Sequence, residues 1–573
     1  MAITSLEHSI LSALHRLRAA DPRRRLFTFV DDRGRDQETI TVAELADSAE
    51  SVAESLLGWG FEPGNRAVLV YPPGPDFVRA LLGCLIAGVV PVPVYPPDPL
   101  RLKSDLVGFA AVVASCEPRG VLTNSAYDRA KTLGAVGGFF DRAAPGWPRV
   151  RWHRTDRGQA RSRGPVDWHR PASLDEPALL QYTSGSTASP KGVVITHGNL
   201  VGELRANAAD LGLGDDVRGV FWLPQYHDFG LISVILSTAT GNAHSYLLSP
   251  LTFLKRPATW FEVMSRVRAT HTAAPNFAFD VAVRRTTPEQ RADWDLGSIR
   301  SFMSAAEPIR SSTVDNFFAA FAVTGLRRAA FYPAYGLAEH TVSVAMGGTA
   351  VLDVSASALE SGLVRPVDAA HRGPVATFLG CGRVTKPDAE VRIVDPVTRR
   401  ACAADRVGEI WVRSSTKALG YLGLEEETAA TFRATVEGED DGAEYLRTGD
   451  LGFLHGGEVF VTGRHKDVII VHGRNLHPED LENAVRDSHP GIRPGGVAAF
   501  SVLGEDGERL VLFVETTGDG DRAEIAEAVR ARLFGTHQLV CEDVVVGPKG
   551  LVRKTTSGKV RRRACRELFL KGV

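Results

Sequence analysis

The sequence predicts a multidomain α/β protein. A large N-terminal domain built from two αβ lobes, residues 1–463, precedes a small α+β C-terminal domain, residues 464–573. Three observations predict it. The chain has 573 residues, which at about 150 residues per unit corresponds to several domain-sized cores. Short apolar runs alternate with amphipathic stretches through the first half, the pattern of a parallel sheet covered by helices. Beyond Gly463 the order becomes mixed, with strands following one another directly.

The elements follow in chain order. Leu6, Ile10, Leu14 and Leu17 recur at helical spacing between charged residues, so the N-terminus reads as an amphipathic helix and not as a secretion signal. Residues 66–70 read as a strand, 76–87 as a helix after a Pro-Pro-Gly-Pro turn, 89–95 as an extended piece and 120–123 as a strand. A polar loop surrounds residues 155–164. The alternation then returns: strand 220–223, helix 229–236, strand 244–248, helix 257–267 and strand 271–274. In the tail, strand 467–471, helix 478–485, strands 496–502 and 510–515 and helix 522–533 make the small α+β unit. The acidic stretch 437–441 reads as a solvated loop.

Composition narrows the function classes. Lys plus Arg is 66 against 68 Asp plus Glu, a net charge of −2; a nucleic-acid partner calls for a basic bias that the chain lacks. The most apolar run, residues 80–94, is interrupted by Pro91 and Pro93 and falls short of the ~20 residues of a membrane span. The six cysteines form no C-x-x-C pair, so they read as reduced thiols of a cytoplasmic protein, not as zinc ligands.

The most informative local signal is Thr183-Ser184-Gly185-Ser186-Thr187-Ala188-Ser189-Pro190-Lys191-Gly192. Small hydroxyl residues and glycines let backbone N–H groups approach a polyphosphate, and the lysine adds a mobile positive charge. It is not a Walker loop: Pro190 stands at the second glycine position and no Ser or Thr follows Lys191. A Ser/Thr-rich surface turn is the plain alternative for such a loop, and the Pro-Lys-Gly ending weighs against it.

This loop resembles the phosphate loop of the adenylate-forming superfamily of acyl-CoA synthetases, luciferases and peptide-synthetase adenylation domains. Four further segments resemble that family's motifs in the same order: Tyr335-Gly336-Leu337-Ala338-Glu339, Arg447-Thr448-Gly449-Asp450-Leu451, Gly463-Arg464-His465-Lys466-Asp467 and Ser557-Gly558-Lys559-Val560. A narrower resemblance, to the fatty acyl-AMP ligases, rests on Tyr71-Pro72-Pro73-Gly74, Val92-Pro93-Val94-Tyr95-Pro96-Pro97, Tyr226-His227-Asp228-Phe229-Gly230-Leu231 and Ala306-Glu307-Pro308.

The resemblance implies a small barrel-like subdomain within the large domain and a mobile C-terminal domain carrying the catalytic lysine. It implies that a fatty or related carboxylic acid is joined to AMP from ATP, with Mg²⁺, and that the acyl group then passes to an acyl carrier protein acting in trans. Lys559 and His227 are the implied catalytic residues. Thr183, Ser184, Gly185, Ser186, Thr187, Lys191 and Gly192 would hold phosphates; Ala305, Ala306, Glu307, Tyr335, Gly336, Leu337 and Ala338 would surround adenine. Asp450 would accept from the ribose hydroxyls and Arg464 would reach the ribose or α-phosphate. Glu339, with Thr187, would hold Mg²⁺, and Lys466 would be the hinge. A family-specific insertion is expected within 341–379.

Departures from the family pattern are Phe229, His340, Ser304-Ala305 and Ser414-Ser415-Thr416-Lys417; Phe229 and His340 suggest a shorter or unusual acid. Arg561, Arg562 and Arg563 lie in a tail with nine basic side chains against the single acid Glu567. They are expected to form a solvated face that steers an acidic carrier. The competing readings are an acyl-CoA synthetase, a silent adenylate-binding protein and, last, a luciferase-like oxygenase.

Overall fold

The computed structural model describes residues 9–97, 102–137, 147–156, 166–183, 190–241, 243–471, 474–504, 507–518, 521–537, 539–541, 543–555 and 558–572. The largest element is a nine-stranded sheet. Across it lie Gly382–Arg383, Ser343–Gly347, Phe331–Gly336, Ser301–Ser304, His271–Ala274, Arg218–Phe221, His244–Leu247, Arg25–Val30 and Asp36–Thr41. Its centre is parallel, and crossover helices such as Ala258–Val267 and Ser311–Phe321 cover it. Trp260, Phe261, Phe279, Phe302, Phe317 and Phe321 pack there as one aromatic core.

A second sheet orders Val90–Pro93, Arg66–Leu69, Gly120–Thr123 and Trp152–Arg154, all parallel. The two predicted lobes are therefore present, but the chain interleaves them. The strand Arg25–Val30, N-terminal to the whole first lobe, pairs with His244–Leu247 in the other sheet. Helical periodicity at the N-terminus is realised as Ile10–Ala20; Leu6 lies outside the described residues. The helix expected over 229–236 is only one short α turn, Asp228–Gly230, running into a π-helix, Leu231–Leu236. A π-helical turn inside a helix is frequent at functional sites.

The small β unit is a four-stranded antiparallel sheet ordered Glu390–Val394, Gly408–Arg413, Leu446–His455 and Glu458–Arg464. Beyond it, Ile492–Gly504, Gly507–Thr516 and Asp543–Gly547 form a three-stranded sheet flanked by the helices Pro478–Val485 and Arg522–His537. Leu481, Val485, Leu512, Ile525 and Val529 close a core of its own. Within 341–379, where an insertion is expected, Ser343–Gly347 belongs to the large sheet. The rest of that stretch carries the antiparallel pair Val351–Ser355 and Val375–Leu379 with the short helix Ala356–Glu360. All six cysteines are free thiols, five of them buried. Among the described residues no helix is long and apolar enough to cross a membrane.

Candidate active site

The C-terminal ends of the parallel strands and the β unit face one cleft. Phe331–Gly336 brings Tyr335 there and then turns sharply. A Cβ on Gly336 would lie 1.7 Å from the Val342 carbonyl oxygen, so only glycine allows the turn that carries Glu339. Asp450 and Arg464 face each other across paired strands. Tyr335 Oη donates to Asp450 Oδ2 at 2.8 Å, and Arg464 Nε donates to Oδ1 at 3.1 Å. The Asp450 carboxylate in turn raises the Arg464 pKa. Two acceptor positions of Asp450 are thus filled, and a carboxylate has about four. Tyr335 is only 9% exposed, so most of its ring is enclosed by protein.

The strand Lys191–Thr196 runs antiparallel to Pro177–Thr183, with Thr183 opposite Lys191 and Gly192 opposite Tyr182. Thr183 and Lys191, at the two ends of the predicted phosphate segment, thus face each other on paired strands. Ser184, Gly185, Ser186 and Thr187 lie outside the described residues. Lys191 Nζ sits 4.7 Å from the centre of the Tyr421 ring, and Tyr421 Oη donates to Glu339 Oε1 at 3.0 Å. Burial raises the Glu339 pKa. Tyr421 was not a predicted site residue; its only signal is its place two residues before Gly423 in a Gly-rich stretch. It arrives because Gly420–Tyr421 pairs with Lys191–Thr196.

His227 and Asp228 stand at the start of the short turn before the π-helix. His227 Nδ1 lies 2.6 Å from Asp228 Oδ1, which also accepts from Phe229 N at 2.6 Å. Burial alone would raise the Asp228 pKa, but His227, Lys559 and these hydrogen bonds bring it below the usual value. Ala305 and Leu337 are half-buried at the edge of the core, and Ala338 is buried. Ala306 holds φ +73°, a left-handed conformation uncommon for alanine. Glu307 accepts from Phe277 N. Burial pushes its pKa up to about 7, against the pull of that N–H and of Lys559.

Lys559 sits on a loop pinched by a bridge between Lys554 and Val560; Thr555 N donates to the Lys559 carbonyl at 2.7 Å and Gly558 holds φ +90°. The side chain keeps contact with solvent because the cleft is open, yet protein surrounds it on several sides. Desolvation lowers its pKa, while Asp228, Glu307 and Asp450 act in the opposite sense. The structure thus brings Lys559 into the electrostatic field of three acids of the large domain. Lys466 is exposed in the 3₁₀ turn His465–Asp467 between the two units.

Contacts across the two units fix this arrangement. Arg310 Nη1 donates to Asn483 Oδ1 at 3.0 Å and Arg486 Nη2 to Asp280 Oδ2 at 3.0 Å. Arg474 Nε donates to Glu360 Oε2 at 2.8 Å.

Two expectations are corrected. Arg562 is not part of a solvated basic face: its guanidinium is enclosed by Glu479 at 2.7 Å, Glu482 at 2.8 Å and Asp467 at 3.1 Å. Only Arg561 and Arg563 remain at the surface. His340 does not bear on an acid pocket. It is fully buried, with Nδ1 2.7 Å from the Ser343 carbonyl and Nε2 2.7 Å from Ser414 Oγ. Beside it lies a buried ion pair, Lys386 Nζ to Glu203 Oε2 at 2.6 Å. Phe229, by contrast, does line a cavity, together with Val234, Phe221 and Met303.

Comparison with known proteins places the chain in a family. Residues 16–422 match the family model "AMP-binding enzyme", and residues 466–573 match "Disco-interacting protein 2-like, AMP domain". The medium-chain-fatty-acid–[acyl-carrier-protein] ligase JamA of Moorena producens is 39% identical over 562 residues, 96% of this chain and 93% of that one. The long-chain-fatty-acid–AMP ligase FadD26 of Mycobacterium marinum is 36% identical over 98% of this chain and 97% of its own. A crystal structure of fatty acyl-adenylate ligase from L. pneumophila, with acyl adenylate and pyrophosphate, covers 99% of this chain and 97% of that one at 32% identity and TM-score 0.74.

Proposed function

The chain belongs to the AMP-binding enzyme family, and on that premise we propose that it activates a fatty or related carboxylic acid with ATP and passes the acyl group to an acyl carrier protein. In the first step a carboxylate oxygen attacks the α-phosphorus of ATP. A P–O bond to the acyl group forms, the α–β bond breaks, and pyrophosphate leaves. In the second step the carrier's phosphopantetheine thiol attacks the acyl carbonyl, losing its proton, and AMP departs.

What supports the reading is the Tyr335–Asp450–Arg464 hydrogen-bonded set of the large domain, together with the charge coupling of the Lys559 ammonium to Asp228, Glu307 and Asp450. A carboxylate attacking a polyphosphate brings like charges together, so the site must supply cations where charge develops. Lys559 would neutralise the α-phosphate. Lys191, with Thr183 and Gly192 beside it, would hold the departing phosphates. Asp450, oriented by Tyr335 and Arg464, would accept from the ribose hydroxyls, and Ala305, Ala306 and Glu307 would border adenine with Gly336, Leu337 and Ala338. His227, braced by Asp228, would lie beside the acyl carboxylate. The fit for Mg²⁺ rests on Glu339: burial raises its pKa, and its Oε1 accepts from Tyr421. When bound, that cation would offset the phosphate charge.

For the second step the small domain would turn about Lys466, withdrawing Lys559 so that a thiol can enter. The bond between Glu360 and Arg474 ties segment 351–379 to the small domain and supports a restricted swing, favouring a carrier over free coenzyme A. The deciding experiment offers ATP, a panel of acids, holo carrier protein and coenzyme A side by side, with acyl-AMP and both thioesters read by mass spectrometry. Acyl-AMP with carrier loading upholds the reading. Efficient coenzyme A thioester formation replaces it by an acyl-CoA synthetase, and absence of any adenylate removes catalysis altogether.

A further inference from the structure

The cavity behind Phe229 is lined by both apolar and polar side chains. It lies between one face of the nine-stranded sheet and the π-helix, and its lining includes both. Strand register places the lining residues in two rows. The row nearer the cleft runs Phe221, Ala273 and Met303. Two residues deeper, the next row on the same face runs Ser245, Gly219, His271 and Ser301. The strands are parallel and Met303 leads directly to Ala305, so the second row lies farther from the reaction centre, by roughly 7 Å at ~3.3 Å per residue.

The deep row leaves space because its side chains are small. A Cβ on Gly219 would lie 2.3 Å from the Phe221 ring, so no larger residue fits there without moving that wall. The free volume is about 40 Å³, several times the ~10–15 Å³ that one water needs.

Hydrogen bonding divides the polar lining. His271 is fully used, with Nε2 on the Leu211 carbonyl at 2.9 Å and Nδ1 2.9 Å from Thr270 Oγ1. Thr238 and Ser245 pair with each other at 2.7 Å, and Ser237 Oγ donates to the Ile232 carbonyl of the π-helix at 3.3 Å. Two hydroxyls remain. Ser301, only 6% exposed, and the half-buried Ser233 on the π-helix both line the cavity, and neither hydroxyl has a side-chain hydrogen bond among the described residues. A buried hydroxyl without a partner is unfavourable, and a site built to bond a substrate's polar group rejects the analogue that lacks it.

We propose that Ser301 and Ser233 form a polar subsite at the end of the acyl cavity, selecting a medium-length acid that carries a hydroxyl or keto group near its tail over the plain saturated acid. This rests on the acid-activating reading above. The apolar row would take the methylene stem, and the deep row the oxygen.

The test measures adenylate formation by the full chain with decanoic acid and with decanoic acid bearing a hydroxyl or ketone on each of its last three carbons. At least one oxygenated acid is expected to exceed decanoic acid in kcat/KM by roughly 10-fold or more, the scale of a satisfied buried hydrogen bond. Ser301→Ala and Ser233→Ala should each bring that ratio toward one. A wild-type ratio at or below one for every oxygenated acid, with decanoic acid activated well, overturns the subsite and leaves the acid-activating reading intact. Adenylate from no acid at all overturns both. A ratio that survives both substitutions assigns the selectivity elsewhere and overturns the role of these two residues.

Discussion

Replacing Lys386 by methionine keeps a long apolar stem and removes an ammonium that the fold has buried. In the wild type, Nζ donates to Glu203 Oε2 at 2.6 Å, the Ser343 carbonyl at 2.6 Å and Thr416 Oγ1 at 2.8 Å. Its side chain is 4% exposed and that of Glu203 0%. Without the ammonium, Glu203 keeps only the N–H of Ser343 at 3.1 Å and its hydroxyl at 2.7 Å. An uncompensated buried carboxylate of this kind costs about 3–5 kcal/mol, a large part of the 5–15 kcal/mol by which a typical domain is stable.

The same residues brace the turn that carries Glu339. Thr341 there holds φ +66° and donates to the Thr416 carbonyl at 2.7 Å, while Ala418 N donates to the Glu339 carbonyl at 3.0 Å. The expected outcome is twofold: the large-domain transition in urea moves to much lower denaturant, and the folded variant needs more Mg²⁺ for half-maximal adenylation. The double variant Lys386→Met with Glu203→Leu should recover much of the stability, because it removes the orphaned charge along with its partner. A loss below about 1 kcal/mol in the single variant, or a double variant no more stable than the sum of its parts, would refute the reasoning.

Other outcomes follow from the site. Lys559→Ala should slow adenylation by roughly 10²–10³, the usual loss for one transition-state charge donor, while leaving transfer from supplied acyl-AMP to carrier largely intact; rapid-quench kinetics of each half-reaction separates the two. Because desolvation lowers the Lys559 pKa, its ammonium is lost at a lower pH than that of an ordinary lysine, so the adenylation rate should fall earlier on the alkaline side than in Lys559→Arg. Glu307 binds its proton more tightly folded, at about 7 against 4.5 for an unperturbed carboxyl. Stability should therefore fall as pH rises from 4.5 to about 7, and Glu307→Gln should raise the melting temperature at pH 8 but not at pH 4. Arg474→Ala removes the tie to Glu360, and thioester formation with coenzyme A should rise relative to carrier loading; an unchanged ratio would mean segment 351–379 does not restrain the small domain.

Local sequence determined the elements whose cause is local. Helix Pro478–Val485 begins with a proline and acids in its first turn, and strand 120–123 is a short, mostly apolar run, so each is legible from its own residues. Ordered motifs likewise pointed to Tyr335, Asp450 and Arg464, which the fold joins by hydrogen bonds. Tertiary structure decided what depends on partners distant in the chain. The π-helix at 231–236, the pairing of Arg25–Val30 with His244–Leu247 and the arrival of Tyr421 beside Glu339 have no signature in their own periodicity. Arg562 and His340 show the physical reason most plainly. A charged or polar side chain looks alike in a sequence whether water or protein surrounds it, and only the packing of Glu479, Glu482 and Ser414 around them makes one an internal clamp and the other a buried strut.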